Sequence, residues 1–403
     1  MKENSKIILS FDTSTIMKIL VSDYSGHPFT FELSQHLSKR NEVIHGYAQY
    51  FETPKANFNE KLQGKNLKIF PIKINKKFKK DNFLLRRSMD ISYGNKMVDL
   101  IKVQKPNIVI CSNTPLDPLN KITSYCKENK IKSIFWMQDI YSVAINKILK
   151  KKIPLLGRII GFYYFLLEKK CEYNSDKIVV IASNFKKFID KKNLSKTSVI
   201  ENWSPIIKPK KRIIKFYKRK FNPLNKFCFI YSGTLGYKHN FKLFIKIAER
   251  FPEAVIIISS SGKFASKLKE ISKKQLPNIK VTNWVNYNNF SSFLSIADAF
   301  IVTLDSDAST FSVPSKIYAY LTIGKPILGS MPLENFGSKK IKRMKAGYIS
   351  KPGDNKTFMN NCAKLINSKK LRKIFFKNSK NYLKTRQASI DRMITNIEQL
   401  KKK

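Results

Sequence analysis

At 403 residues the chain is too long for one ordinary hydrophobic core and fits two domains of about 200 residues each. Apolar side chains make up 42%, enough to fill two cores, and no low-complexity stretch marks a disordered protein. With 77 Lys and Arg against 28 Asp and Glu the net charge is +49, a field that draws the protein toward polyanions such as nucleic acid or an anionic membrane leaflet.

In chain order, residues 1–16 match nothing expected ahead of Met17-Lys18-Ile19-Leu20-Val21, which reads as a natural opening strand. Either an extra N-terminal element precedes it or translation starts at Met17. The strand breaks at Asp23-Tyr24-Ser25-Gly26-His27-Pro28, a helix follows with Phe31, Leu33 and Leu37 on its apolar side, and Glu42-Val43-Ile44 is the next strand. Residues 65–80 alternate lysines with Phe and Ile, and Arg86 and Arg87 follow. This pattern fits a strand and loop with a soluble lysine face, or a basic patch on a membrane. Strands at 108–111, 133–137, 178–181 and 198–200 end in the polar turns Ser112-Asn113-Thr114-Pro115, Gln138-Asp139, Ala182-Ser183-Asn184 and Glu201-Asn202-Trp203. The longest apolar run, 153–167, carries Arg158 and two glycines. It falls short of the ~20 clean apolar residues a bilayer span needs. Lysines crowd both of its flanks, so it reads as a helix in the membrane interface or as one buried between domains.

Residues 208–219 form a basic, Pro-flanked connector, after which a second alternation begins. Its strands at 227–231, 254–258, 279–281 and 299–302 lead to Ser232-Gly233-Thr234-Leu235-Gly236, Ser259 to Gly262, Trp284, and Leu304-Asp305. Apolar strands separated by helical stretches imply parallel sheets covered on both faces, with ligands beyond the carboxyl ends of the strands. In Val313-Pro314-Ser315-Lys316 a short loop opens a helix of about two turns, with Pro314 suited to its first turn. Gly324 stops that helix and Pro326 prevents its resumption before a buried strand at Ile327. Free backbone N–H groups, a hydroxyl and a cation at a helix start suit a phosphate. Gly233 and Gly236 let backbone amides approach a phosphate closely, and Lys238 can neutralise its charge. The stretch from about 370 to 403 reads as helix.

The run Val313-Pro314-Ser315-Lys316, with Tyr320, Leu321, Gly324, Lys325 and Pro326 at their spacings, resembles the donor-binding segment of retaining GT-B glycosyltransferases of family 4. The resemblance is to the bacterial group that builds surface polysaccharides. It implies an α/β fold of two doubly wound Rossmann-like domains facing across a cleft. An acceptor-side domain would span 17–205, with 1–16 as a possible extension, and a nucleotide-sugar-binding domain would span 220–370. The helices of 371–403 would cross back to the first domain. By this resemblance Gly26, Gly233, Thr234, Gly236, Lys238, Ser315 and Lys316 would hold the donor diphosphate. Asn202, Gly262, Trp284, Asp305, Val313 and Pro314 would lie near the nucleotide or sugar, and Asp139 and His27 would stand at the reacting centre. His27 reads equally as a plain turn residue. Thr234 replaces the Arg common in relatives, so Lys238 and Lys316 would share the diphosphate. The two glutamates of many relatives fall by register on Phe311 and Ala319, leaving Asp305 and Asp307 as the nearest acids for the ribose.

The activity implied is transfer of a sugar, with retention of configuration, from a nucleotide-diphosphate sugar to a lipid-linked or glycan acceptor in surface-polysaccharide synthesis. Alternatives are a GT-B sugar-nucleotide 2-epimerase or a basic nucleic-acid-binding protein. The basic residues are spread along the chain without a reading module, so no specific nucleic-acid partner is expected and an anionic membrane surface is preferred. No cofactor and no metal are expected, since Asp305-Ser306-Asp307 sits in the wrong fold context for a metal-holding pair. Five scattered cysteines without a CxxC pair, and the lack of an export leader, lead us to expect a cytoplasmic protein held peripherally at the inner membrane.

Overall fold

The computed structural model describes residues 16–50, 64–74, 83–236, 239–306 and 312–401. The expectations for 1–15, for Lys238, Asp307 and Phe311, and for the lysines of 75–80 therefore lie outside the described residues. The first domain runs β1 (Lys18–Asp23), α1 (Pro28–Leu37), β2 (Glu42–Ala48), β3 (Leu67–Ile72), α2 (Phe83–Gln104), β4 (Ile108–Ser112) and α3 (Leu116–Glu128). It continues with β5 (Lys132–Met137), α4 (Tyr141–Lys152), α5 (Pro154–Asn174), β6 (Lys177–Val180) and β7 (Thr197–Val199). The strands form one parallel seven-stranded sheet in the order β3-β2-β1-β4-β5-β6-β7. Consecutive residues of β1 and β4 are buried, as expected of strands covered by helices on both faces.

The second domain contains α6 (Lys211–Phe221), β8 (Cys228–Ser232), α7 (Lys242–Arg250), β9 (Val255–Ser259), α8 (Lys263–Lys274), β10 (Ile279–Thr282) and α9 (Tyr287–Leu294). β11 (Ala299–Thr303), α10 (Lys316–Ile323), β12 (Ile327–Ser330), α11 (Phe336–Arg343), β13 (Gly347–Ser350), α12 (Asn355–Asn367) and α13 (Lys369–Ser379) complete it. Its parallel six-stranded sheet has the order β10-β9-β8-β11-β12-β13. Two doubly wound domains, each with a covered parallel sheet, make the fold α/β of the GT-B kind. The last helix, α14 (Tyr382–Lys401), buries Ile390, Met393 and Ile397 in the core of the first domain, and its Asn396 accepts a hydrogen bond from Ser198 at 2.8 Å.

Four elements depart from the pattern read in the sequence. The stretch expected as a connector holds the helix α6, whose Tyr217 and Phe221 join a core of the second domain, so that domain begins before residue 220. β3 and β13 are edge strands that alternate poorly, β3 with Pro71 in it, and sheet edges tolerate such sequences. Pro314 lies just outside its helix: Ser315 is the N-cap of α10, and the Pro314 carbonyl accepts from the Ile317 N–H at 3.2 Å.

Candidate active site

Each sheet reverses its winding once, between β1 and β4 in the first domain and between β8 and β11 in the second. At such a reversal the flanking helices diverge and leave a crevice beyond the strand ends. The two crevices open into one cavity of about 740 Å³ whose wall is drawn from both domains.

On the second-domain side β8 ends in Ser232-Gly233. Gly233 has φ +128°, a conformation side chains avoid, and a Cβ there would lie 3.1 Å from Lys316 Cε and 3.2 Å from Nζ. Lys316, the first residue of α10, is thus drawn over the turn, with its ammonium 3.6 Å from the centre of the buried Tyr231 ring. Tyr320, one turn on, accepts the Ser232 N–H at 2.9 Å, and its ring stacks on Phe300 at 4.0 Å. The helix start and the glycine turn are therefore fastened together. Thr234, Ser315, Val313, Pro314 and Ala319 share this wall, with Trp284 after β10 and Leu304 after β11. The Gly236 N–H donates to Nδ1 of His239, another wall residue, at 3.1 Å.

On the first-domain side His27 is the N-cap of α1, and Asn113 follows β4 with φ +49°. The Asn113 amide reaches Ser25 Oγ at 2.8 Å and His27 Nε2 at 3.2 Å, while its Oδ1 accepts from Tyr141 at 2.9 Å. Behind it, Gln138 donates to Ser112 Oγ at 2.9 Å and accepts from Asn202 Nδ2 at 3.4 Å. Asn202 is 3% exposed, and its Oδ1 has no hydrogen-bond partner in the protein. The indole N–H of Trp284 is likewise unpartnered. The wall thus offers one orphan acceptor and one orphan donor, groups a polar ligand satisfies. Phe29 and Trp203, packed against Trp136 at 5.5 Å, form an aromatic side of the cavity.

Of the residues singled out in the sequence, His27, Asp139, Asn202, Gly233, Thr234, Trp284, Val313, Pro314, Ser315 and Lys316 come together in this wall. Four do not. Gly26 is buried behind His27 with its N–H on Asp23 Oδ1 at 3.0 Å, and Gly262 caps α8 after β9, one strand away from the winding reversal. Gly236 and Asp305 also stay outside the wall. Asn113, Gln138 and His239 were missed as site residues, although the first two stood in the strand-end turns where the sequence placed ligands. Among the described wall residues Asp139 is the one carboxylate. The described residues contain no cluster of three or more His, Cys, Asp or Glu arranged for a metal ion.

Comparison with known proteins bears on this geometry. Residues 213–382 match the family of glycosyl transferases group 1. The uncharacterized glycosyltransferase MJ1059 of Methanocaldococcus jannaschii is 26% identical over 290 residues, or 68% of this chain and 63% of that relative. The chain thus spans just under two thirds of the length of the curated relative it matches. The solved structure of Anabaena HepE in complex with UDP and glucose superposes with a TM-score of 0.67 at 14% identity, covering 95% of this chain and 99% of HepE. A protein from Listeria monocytogenes assigned as UDP-N-acetylglucosamine 2-epimerase superposes at 0.59 with 10% identity, covering 95% of this chain and 96% of its own. At these identities the superpositions establish the fold alone. The domain match places a glycosyl transferases group 1 segment in the second half of the chain, and the superpositions give the whole chain a two-domain GT-B fold.

Proposed function

We propose that the protein transfers a sugar from a nucleotide-diphosphate sugar to a lipid-linked glycan acceptor, with retention of configuration, in cell-surface polysaccharide synthesis. The observation that carries this reading is Lys316, held over the Gly233 turn at the start of α10 and facing a cavity shared by both domains. A lysine, the positive end of a helix and a side-chain-free turn suit a diphosphate. The complex of HepE with UDP and glucose supports a nucleotide sugar as the donor. Family 4, the polysaccharide role and the lipid on the acceptor rest on the sequence resemblance.

In this reading the diphosphate lies on Lys316, Ser315 and Gly233, with Lys238 as the second cation expected from sequence. The bond from the sugar C1 to phosphate oxygen breaks, and the acceptor oxygen bonds to C1 from the same face. The acceptor hydroxyl proton passes to the departing phosphate. Preorganised positive charge stabilises the leaving group without a cofactor or metal. Asp139 stands beside the reacting sugar, and Asn202 Oδ1 accepts one of its hydroxyls. Epimerisation is less favoured, because its acid–base chemistry asks for more carboxylate than Asp139, the one acid among the described wall residues, supplies.

The test is release of nucleoside diphosphate from UDP-, GDP- and ADP-sugars with and without a bacterial lipid extract. Lipid-stimulated release from at least one donor is expected. No release from any donor, or interconversion of the sugar without transfer, would contradict the reading.

A further inference from the structure

The face of α5 turned away from its domain is apolar, where a helix beside water normally carries polar residues. Leu155, Leu156, Ile159, Phe162, Tyr163 and Leu166 are exposed, from 46% at Tyr163 to 78% at Leu155. Gly157, Gly161, Tyr164, Leu167 and Cys171 fill the opposite, buried face. Of the two readings the sequence allowed for this run, burial between the domains is thereby removed. An uncovered apolar strip of this size marks an interaction surface.

α4 and α5 form a hairpin whose corner is Ile153, with Pro154 opening the second helix. The helices pack closely at their glycines: a Cβ at Gly157 would lie 2.6 Å from the Leu149 backbone carbonyl, and one at Gly161 would lie 2.6 Å from the side-chain Oδ1 of Asn146. Further along, Ser142 donates to Glu168 through its hydroxyl at 2.7 Å and its N–H at 3.2 Å. This register sets Leu166 level with the first turn of α4, two residues past Asp139 of the cavity wall. The apolar strip therefore runs from the hairpin corner to the rim of the cleft. Phe83 at the start of α2 lies beside it, 6.5 Å from Tyr164.

Charge decides what covers the strip. Lys147, Lys150, Arg158 and Lys170 are exposed on the same two helices. Their only acids, Glu168 and Glu172, are 1% and 0% exposed. The outside of the hairpin is thus apolar and cationic with no exposed acid. A second copy would bring the same positive charge against it, whereas an anionic bilayer supplies both the charge and the apolar phase.

We propose that the outer face of α5 lies in the headgroup region of an anionic bilayer and holds the acceptor side of the cleft against the membrane. The proposal rests on the transferase reading for what the cleft meets there; insertion itself stands on the hairpin. The five native cysteines are buried, so Ile159→Cys in the full chain takes an environment-sensitive fluorophore selectively. Its emission is expected to rise and shift to the blue with vesicles of phosphatidylcholine plus phosphatidylglycerol, and not with phosphatidylcholine alone. The triple variant Leu155→Ser, Leu156→Ser, Ile159→Ser is expected to bind the anionic vesicles about 100-fold more weakly, from the lost apolar burial. Its thermal shift with UDP, GDP or ADP should equal that of the wild type, which shows that it folds. Unchanged emission, wild-type vesicle binding by the triple variant, or a wild-type dimer that this variant dissociates without any vesicle binding would each overturn the proposal. Vesicle binding that survives while no nucleotide binds would refute the transferase reading and leave this one standing.

Discussion

Gly233 and Lys316 are a matched pair, because the missing Cβ of one is the space the other occupies. Gly233→Ala adds a methyl 3.1 Å from Lys316 Cε on a backbone at φ +128°. We expect a stability loss of about 1–2 kcal/mol in chemical denaturation and weaker nucleotide binding in the same protein. Wild-type affinity in this variant would show that the lysine is not held by the turn. Asn113 joins three partners, Ser25, His27 and Tyr141. Asn113→Ala should lower kcat more than it raises the KM for donor, because it removes one hydrogen bond that orients the His27 ring while leaving the Lys316 side intact. Lys316 was legible in the sequence since its helix start is spelled by neighbouring residues. Asn113 was not, because its role arises from β1 and β4 lying side by side although Asn113 and Ser25 are 88 positions apart in the chain.

Among the elements, the buried strands were readable because a parallel strand with both faces covered needs an unbroken apolar run, as in β9. The edge strands β3 and β13 lack that requirement, and the lysines of α6 masked the two aromatic residues that dock it. α5 was ambiguous because apolar residues surround it on every side, and only its glycines distinguish the packed face. It also carries a titration. Glu168 is pushed up to about 7, mainly by burial, with its two hydrogen bonds from Ser142 opposing the shift. An acid whose native pKa lies above its unfolded value binds more protons folded than unfolded. Its contribution is full below about pH 4.5 and is lost as pH rises toward 7, a change of about 3 kcal/mol. Asp90, pushed up to about 6 by burial, acts with the same sign. Glu168→Gln should flatten the fall of urea stability between those pH values. An unaltered pH slope in that variant would show that Glu168 is not its source.

For the whole molecule, both winding reversals face one cavity, so the fold itself determines where, in the proposed reaction, donor and acceptor would meet. Across the domains Glu201 accepts from Lys340 at 2.6 Å and Arg343 at 3.0 Å. Lys340 is 2% exposed, and burial lowers its pKa against the pull of Glu201. Glu201→Gln strands that ammonium and should destabilise the protein by about 2 kcal/mol in denaturant titration, the lower side of the range for a broken buried pair because Glu201 is partly exposed. A loss within error would place the pair among surface contacts. In the proposed mechanism the start of α10 and lysines supply the positive charge, so transfer should persist in EDTA; complete loss restored by Mg²⁺ would reassign the leaving-group chemistry. The most direct test of the account is calorimetric titration of UDP, GDP and ADP into the wild type and Lys316→Ala. At least one nucleotide should bind the wild type, and the variant should lose about 1.5–3 kcal/mol of that affinity, the range for hydrogen bonds to charged groups. Equal affinity in both proteins, or no binding of any of the three to the wild type, would contradict it.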